Sequence, residues 1–333
     1  MSGVALGVRS PVVTTAVYDT YWRFAAERQR SFFRHLRGNR PFTHDPVLAA
    51  HRFTNAYRAS DRVSQYLIQR VIYRGDQAPA EVFFRTILFR IFNKVETWEL
   101  LAARFKEVRW STFKFEAFDE ALTAAMEQGQ RIYSAAYIMP SKSGELNSPR
   151  KHRNHLRLIQ QMMRNDLPLR LADAPTAARA FTLLRECPMI GDFLGYQFLT
   201  DLNYGPLLDF SEMDFVIPGP GAAGGLRKCF AETGGLSDAD LIRLVTESQE
   251  VEFVRRGLEF DGLWGRPLQL IDCQNLFCEV DKYARVAHPE FTPENGRTRI
   301  KQNYRPSKEP LRVWYPPKWG VNERIPHELR ATM

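Results

Sequence analysis

The sequence predicts an all-α chain of about ten helices, joined by short loops. Two observations carry that reading. Apolar residues recur at intervals of three and four along most of the chain, and nowhere do short apolar runs alternate regularly with helical stretches as a parallel sheet would require. Residues 54–72, TNAYRASDRVSQYLIQRVI, place Tyr57, Val63, Tyr66, Leu67 and Val71 at helical spacing among charges. EVFFRTILFRIFN (81–93) and KVETWELLAARF (94–105) read as two buried helices with almost no loop between them. FEAFDEALTAAMEQGQRIY (115–133) is amphipathic and rich in Ala. Further helices are predicted over 150–165, 174–186, 191–203, 237–257 and 268–287.

Two segments stand apart. YIMPSKSGELNSP (137–149) is polar and interrupted by Pro140 and Pro149, so an exposed loop is expected, leading into the basic helix start RKHRNHLR. From about residue 289 the chain is basic and Pro-rich with little periodicity, which predicts a tail that wraps the body or frays. With no internal repeat and no clean linker, one helical unit over 1–333 is expected, its body spanning about 11–288 and its tail about 289–333.

The net charge of +8 points to a polyanionic partner, nucleic acid before membrane, or to a surface that is merely basic. The four cysteines form no C-x-x-C pair, and Cys273 and Cys278 have no nearby His to complete a zinc site, so no metal and no cofactor are expected. Free thiols and the lack of an apolar leader or a long apolar run predict a cytoplasmic chain, taken as a monomer.

VIPGPGAAGGLRK (216–228) contains a literal G-x-G-x-x-G, Gly219 to Gly224, but that string means a dinucleotide loop only within a βαβ unit. No such unit is predicted, and no G-x-x-x-x-G-K-[ST] string occurs. Just upstream, ECPMIGDFLGYQFLTDLNY (186–204) reads as helix end, tight turn and new helix. The backbone amides at the start of the second helix can face a phosphate, or the segment is an ordinary αα-turn.

This hairpin resembles that of the helix-hairpin-helix DNA glycosylase superfamily, with roughly an L-P-G-h-G-x-x-x-A pattern. Pro188 and Gly191 fit, and Met189 replaces the first glycine. The resemblance implies a glycosylase-like helical fold and a catalytic carboxylate after the hairpin. Asp214 is the candidate, with Glu212 in reserve, because an anion beneath the sugar would stabilise oxocarbenium character. Phe193 stands where bifunctional members carry lysine, which implies a monofunctional enzyme.

A second resemblance covers more of the chain. FTNAYRASDRVSQYLIQRVIY (53–73), FFRTILFRIFNKVETWELL (83–101), IGDFLGYQFLTDLNY (190–204), DFVIPGPGAAGGLRKCF (214–230) and LFCEVDKYAR (276–285) resemble successive signatures of the α-glutamyl/putrescinyl thymine pyrophosphorylase family, related to the helical domain of 5-hydroxymethyluracil DNA kinases. Some members look like transferases that load an amino acid or polyamine onto activated 5-hydroxymethyluracil. Others resemble antiphage glycosylases that excise glucosylated hydroxymethylcytosine. The resemblance implies double-stranded DNA with modified pyrimidines as the partner.

Within these signatures Asn55, Arg58, Asp61 and Arg62 fall about one helical turn apart and would share a face, lining a pocket for a flipped base or forming an ion-pair network. Tyr196 could stack on a base and Gln197 read its edge. Glu279 and Lys282 read as a surface pair before a catalytic one. Met189, Ile190 and Gly191 of the hairpin, Gly219, Gly221, Arg227 and Lys228 of the glycine segment, and the basic cluster Arg150, Lys151, His152, Arg153, His155 and Arg157 are the candidate phosphate contacts, with Arg297, Arg299, Lys301 and Arg305 extending them, unless the cluster is simply the solvated face of a helix. The expected function is a monofunctional DNA glycosylase that flips a hypermodified pyrimidine and leaves an abasic site in antiphage defence. The alternative is a transferase that attaches an amino acid or polyamine to pyrophosphorylated 5-hydroxymethyluracil. A third reading is DNA binding without catalysis.

Overall fold

A computed structural model describes residues 10–136, 138–291, 298–305 and 311–333. Tyr137 of the expected loop and Arg297 of the tail lie outside the described residues. In chain order the elements are β1 (Val12–Thr14), α1 (Ala16–Leu36), α2 (Pro46–Ala50), a 3₁₀ turn (Arg58–Ser60), α3 (Arg62–Tyr66) running into a π-helical stretch (Leu67–Ile72), and α4 (Pro79–Phe92). They continue with α5 (Val95–Phe105), α6 (Phe115–Glu127), α7 (Lys151–Arg164), α8 (Leu167–Ala172), α9 (Ala177–Arg185) and α10 (Asp192–Tyr204). The last are α11 (Pro220–Cys229), β2 (Phe230–Thr233), α12 (Asp238–Glu247), α13 (Gln249–Arg255) and α14 (Leu270–Ala287). The protein is mostly helical, as predicted, with β1 and β2 forming a two-stranded antiparallel ribbon among the described residues.

Several boundaries differ from the sequence reading for local reasons. The helix expected over 115–133 stops at Glu127, where Gly129 takes a left-handed φ of 78°. The helix expected over 237–257 is two, because Ser248 ends α12 and begins α13. Most of 54–61 is not helical: Asn55 donates its backbone N–H to Asp61 Oδ1 at 2.8 Å, a side-chain partner that replaces a helical one. Asn55, Arg58, Asp61 and Arg62 therefore do not share a helix face. The longest helix, α1, carries no prediction at all.

The chain divides into two compact units, Met1–Asp61 with Phe215–Met333, and Arg62–Asp214. In the first, α1 and α14 enclose an aromatic core in which Tyr21 meets Phe277 at 4.5 Å and Trp22 meets Phe253 at 4.9 Å between ring centroids. Aromatic pairs at these distances each add roughly 1 kcal/mol beyond their burial. The described part of the tail wraps this unit. Val313, Tyr315 and Val321 are fully buried, Asn322 brackets Tyr315 through both its amide atoms, and Arg266 lies over the Trp319 ring at 4.2 Å.

The second unit is built on α4, whose residues 81–92 are all buried. At its centre Arg90 grips Asp201 bidentately at 2.6 and 2.8 Å and also donates to Asn93, which caps α4 in the left-handed region. Here α7 corrects an expectation. His152, Asn154 and His155 of the basic stretch are fully buried; His152 bonds Asp119 and Thr123 of α6, while Asn154 and His155 secure the preceding loop. His155 Nε2 donates to the Pro140 carbonyl and its Nδ1 accepts from Tyr133, a neutral arrangement consistent with a proton affinity lowered by burial to about 4. Asn154 accepts from the Ser148 amide and donates to the Ser141 and Ser148 carbonyls, all at 2.7–2.9 Å. Replacing Asn154 with Leu strands three backbone groups, with an expected cost of about 2–3 kcal/mol. The check is limited trypsin digestion: cleavage at Lys142 should quicken sharply, and an unchanged digestion rate would deny the clamp. No helix among the described residues is long and apolar enough to cross a membrane.

Candidate functional site

The first unit gathers charged side chains where a core would ordinarily exclude them. Arg28 lies on the buried stripe of α1 that includes Tyr21, Phe24, Ala25 and Phe32. Its guanidinium reaches the irregular 52–61 segment, donating through Nε to the Thr54 carbonyl at 2.9 Å and through Nη2 to Asn55 Oδ1 at 2.6 Å. Asn55 passes the connection on, its Nδ2 donating to the Ser60 carbonyl and its N–H to Asp61. From α14, Glu279 Oε2 accepts from the Thr54 amide at 3.0 Å and from Lys282 Nζ at 2.7 Å, while Lys282 also donates to the Arg52 carbonyl. Glu279 and Lys282 are half-buried and hold the loop, which replaces the expected surface pair.

The segment is pinned from below as well. Arg58, almost wholly buried, donates its N–H to Asp272 Oδ1, and Asp272 also caps α14. The Ser60 and Tyr315 hydroxyls meet at 2.8 Å. Asp61 is thus presented on a backbone with little freedom. Burial pushes its carboxyl up to about 7, aided by the Glu279 carboxylate and opposed by the Asn55 N–H and the Arg28 and Arg58 charges. A half-buried carboxyl that exchanges its proton near neutrality is poised to act as a general base. Thr54 Oγ1 is buried here without a hydrogen-bond partner, so the cluster retains an unused polar atom for a ligand.

The other candidates fall elsewhere. Arg62 is exposed in the second unit. Tyr196 and Gln197 are buried within α10. Asp214 is exposed and Glu212 half-buried at the C-terminal edge of that unit, after a loop that Asn203 shapes by bonding both backbone groups of Phe210. The hairpin joins α9 to α10 as predicted. Met189 takes a left-handed φ of 65° where the superfamily pattern has glycine, a conformation that costs roughly 1–2 kcal/mol for a side chain. Residues Gly191 to Phe193 are exposed, and no side chain caps the start of α10, although Arg185 and Asp192 pair beside it at 2.5 Å.

The glycine segment forms the first turns of α11 and packs tightly on α14. A Cβ at Gly221 would lie 2.9 Å from Cys278 Sγ, and one at Gly225 would lie 2.7 Å from the Phe277 carbonyl carbon. Lys228 is buried, paired with Asp281 at 3.0 Å, so it cannot serve as a surface phosphate contact; Arg227 is exposed. On α7, Lys151 lies over the Tyr133 ring at 4.7 Å and Arg153 is paired with Asp119 at 2.8 Å. Sequence reasoning missed Arg28. A lone arginine on the aromatic stripe of a helix is the signal that could have found it. Among the described residues, no group of three or more His, Cys, Asp or Glu side chains is placed to hold a metal ion.

Comparison with known proteins completes the picture. The family described as 5-hmdU DNA kinase, helical domain, matches residues 15–293. The 5-hmdU DNA kinase of Bacillus phage SP10 is 28% identical over 303 residues, covering 83% of this chain and 46% of its own length. The chain therefore spans about half the length of the curated relative it matches. No solved structure matches. These findings overturn the glycosylase expectation: both names denote a kinase, which transfers a phosphoryl group, and neither denotes a hydrolase that cuts a glycosidic bond. With that reading goes the role expected for Asp214 and Glu212 in base excision.

Proposed function

The chain belongs to the family of the helical domain of 5-hmdU DNA kinases, and from this we propose that it is a transferase acting on the hydroxymethyl group of 5-hydroxymethyluracil in DNA. The observation that carries the reading is the family match, which includes both Asp61 and Glu279. The transfer alternative from the sequence fits better than excision, with a phosphoryl group in place of an amine. In the proposed step Asp61 takes the hydroxymethyl proton while the oxygen attacks the terminal phosphorus of a nucleoside triphosphate. The P–O bond to the leaving diphosphate breaks, and the products are a phosphorylated base, a nucleoside diphosphate and one proton. Arg28 and Asn55 position the carboxyl, and Thr54 Oγ1 is available to the acceptor hydroxyl. No G-x-x-x-x-G-K-[ST] string lies in these 333 residues, and none of them is assigned to the donor phosphates. The α9–α10 hairpin, read as helix-hairpin-helix, supports a phosphate contact at the exposed start of α10 beside Gly191.

The test compares duplexes that differ at one base. DNA carrying 5-hydroxymethyluracil should bind roughly tenfold more tightly than the thymine duplex, the worth of one hydrogen bond to a charged group. After incubation with ATP and digestion, the modified nucleoside should gain the mass of a phosphoryl group, with no alkali-labile sites. Equal binding of both duplexes together with an unchanged nucleoside would sink the proposal.

A further inference from the structure

In the second unit, a cavity of about 480 Å³ opens between the start of α6 and the C-terminal half of α7, lined by Phe113, Lys114, Phe115, Glu116, Arg157, Gln160 and Arg164. Its charges are unbalanced, with three cations facing one carboxylate. The reason lies in how α7 meets α6. Arg153, Arg157, Gln160 and Arg164 follow one another at intervals of three and four, so they form a single ridge. At the N-terminal end of that ridge α6 supplies acids: Asp119 takes Arg153 and His152, and Glu127 takes Arg150. Farther along, the cavity lining includes one acid, Glu116. Lys114, Arg157 and Arg164 have no ion-pair partner among the described residues, and Arg157 instead lies over the Phe115 ring at 5.5 Å.

The floor is rigid. Phe113 stacks on Trp110 at 5.6 Å and packs against Phe118 at 4.7 Å, while Glu81 fixes the same loop by accepting from the Trp110 and Ser111 amides at 2.7 and 2.9 Å. Rings held in place beside unpaired guanidinium groups make the combination that grips a nucleic-acid strand, with cations on the phosphates and π-faces for bases or sugars. Arg157 and Arg164 are seven residues apart, about 10 Å along the helix axis, farther than a single phosphate can bridge.

We propose that this trough is a second DNA contact, holding the phosphodiester backbone of the strand through Lys114, Arg157 and Arg164. The inference rests on DNA being the substrate, but not on the chemistry at Asp61. The experiment measures affinity for thymine and 5-hydroxymethyluracil duplexes across a salt series. The Lys114→Gln/Arg157→Gln/Arg164→Gln variant should flatten the dependence of log Kd on log salt by 2 to 3, roughly one per lost phosphate contact, and weaken both duplexes about equally. Arg150→Gln/Arg153→Gln, which removes cations already neutralised by α6, should change the slope by less than roughly 1. If the triple variant melts early, Lys114→Gln alone should still lower the slope by roughly 1. An unchanged slope, equal losses from the paired and unpaired sets, or loss of free ATP binding with DNA binding intact would each overturn the trough. A lowered slope with no preference for the modified base would instead keep the trough and reject the proposed base specificity.

Discussion

Asp61→Asn is expected to abolish transfer to 5-hydroxymethyluracil DNA, lowering kcat by roughly 10²–10⁴-fold while leaving the affinity for the thymine duplex nearly unchanged and weakening that for the modified duplex by no more than roughly tenfold. Asparagine keeps the shape and can still accept the Asn55 N–H, so the loss isolates the proton acceptor. The rate of the native protein should rise with pH and level off above about 7, where the carboxyl is ionised. The variant's residual rate should show no such step. A second signature separates this role from a structural one. The folded-state proton affinity of Asp61 is raised above that of the unfolded chain, mainly by burial. Between the two values the native state holds a proton that the unfolded state has released, so stability falls as pH rises through that window. The neutral asparagine removes this penalty. The difference should be smallest near pH 4 and grow until about pH 7, so that at pH 8.5 the variant melts a few degrees higher, a gain of about 1–3 kcal/mol for a half-buried group. Full transfer activity in the variant, or a melting difference independent of pH, would rule Asp61 out as the base. Lower stability of the native carboxylate is what a reactive group held for catalysis predicts.

How far the sequence alone could reach depended on which interaction shaped each stretch. Helices α4, α5, α7, α9, α10 and α14 were legible because apolar residues recur at helical spacing along each of them. Helix α1 was not, although it is the longest. Its buried positions include Tyr18, Tyr21, Trp22, Phe24 and Phe32, aromatic residues of modest helix propensity that spread around much of the circumference and blur the period. The site suffered more. Asn55 and Asp61 were recognised as candidates, but their common helix face does not exist, since Asp61 binds the Asn55 amide and bends the chain. Arg28 and Glu279 reach that bend from elements distant in sequence, and no local pattern discloses such a meeting. The basic stretch at 150–157 misled for a related reason. The loop before it needs backbone partners, and His155 and Asn154 turn inward to supply them.

Gly225→Ala should be the most destabilising glycine-to-alanine change among the described residues. The glycines of 219–225 first suggest a phosphate loop, yet three of them face the side of α14 at graded distances, and that gradient predicts graded effects. At Gly225 an added Cβ would lie 2.7 Å from the Phe277 carbonyl carbon, nearer still to its oxygen, and 3.1 Å from its Cα. These are backbone atoms in the middle of α14, which cannot give way without separating the two helices, so a loss exceeding about 3 kcal/mol is expected. At Gly221 the obstacle 2.9 Å away is Cys278 Sγ, the end of a side chain that can rotate, and the cost should be nearer 1 kcal/mol, with a wide margin of roughly twofold. At Gly224 the nearest atom is Asp281 Oδ1 at 3.1 Å, part of the carboxylate that binds Lys228 and Arg285. Alanine there must displace that carboxylate, weakening a buried ion pair as well as the packing. Denaturant melts should therefore rank Gly225→Ala below Gly224→Ala and Gly221→Ala. Because α14 also carries Glu279 and Lys282, which hold the Asp61 loop, the Gly225 variant should lose 5-hydroxymethyluracil preference along with stability. If instead Gly225→Ala melts like the native protein while binding DNA less tightly, the glycines face a ligand after all, and α11 would have to be reassigned from helix packing to phosphate recognition.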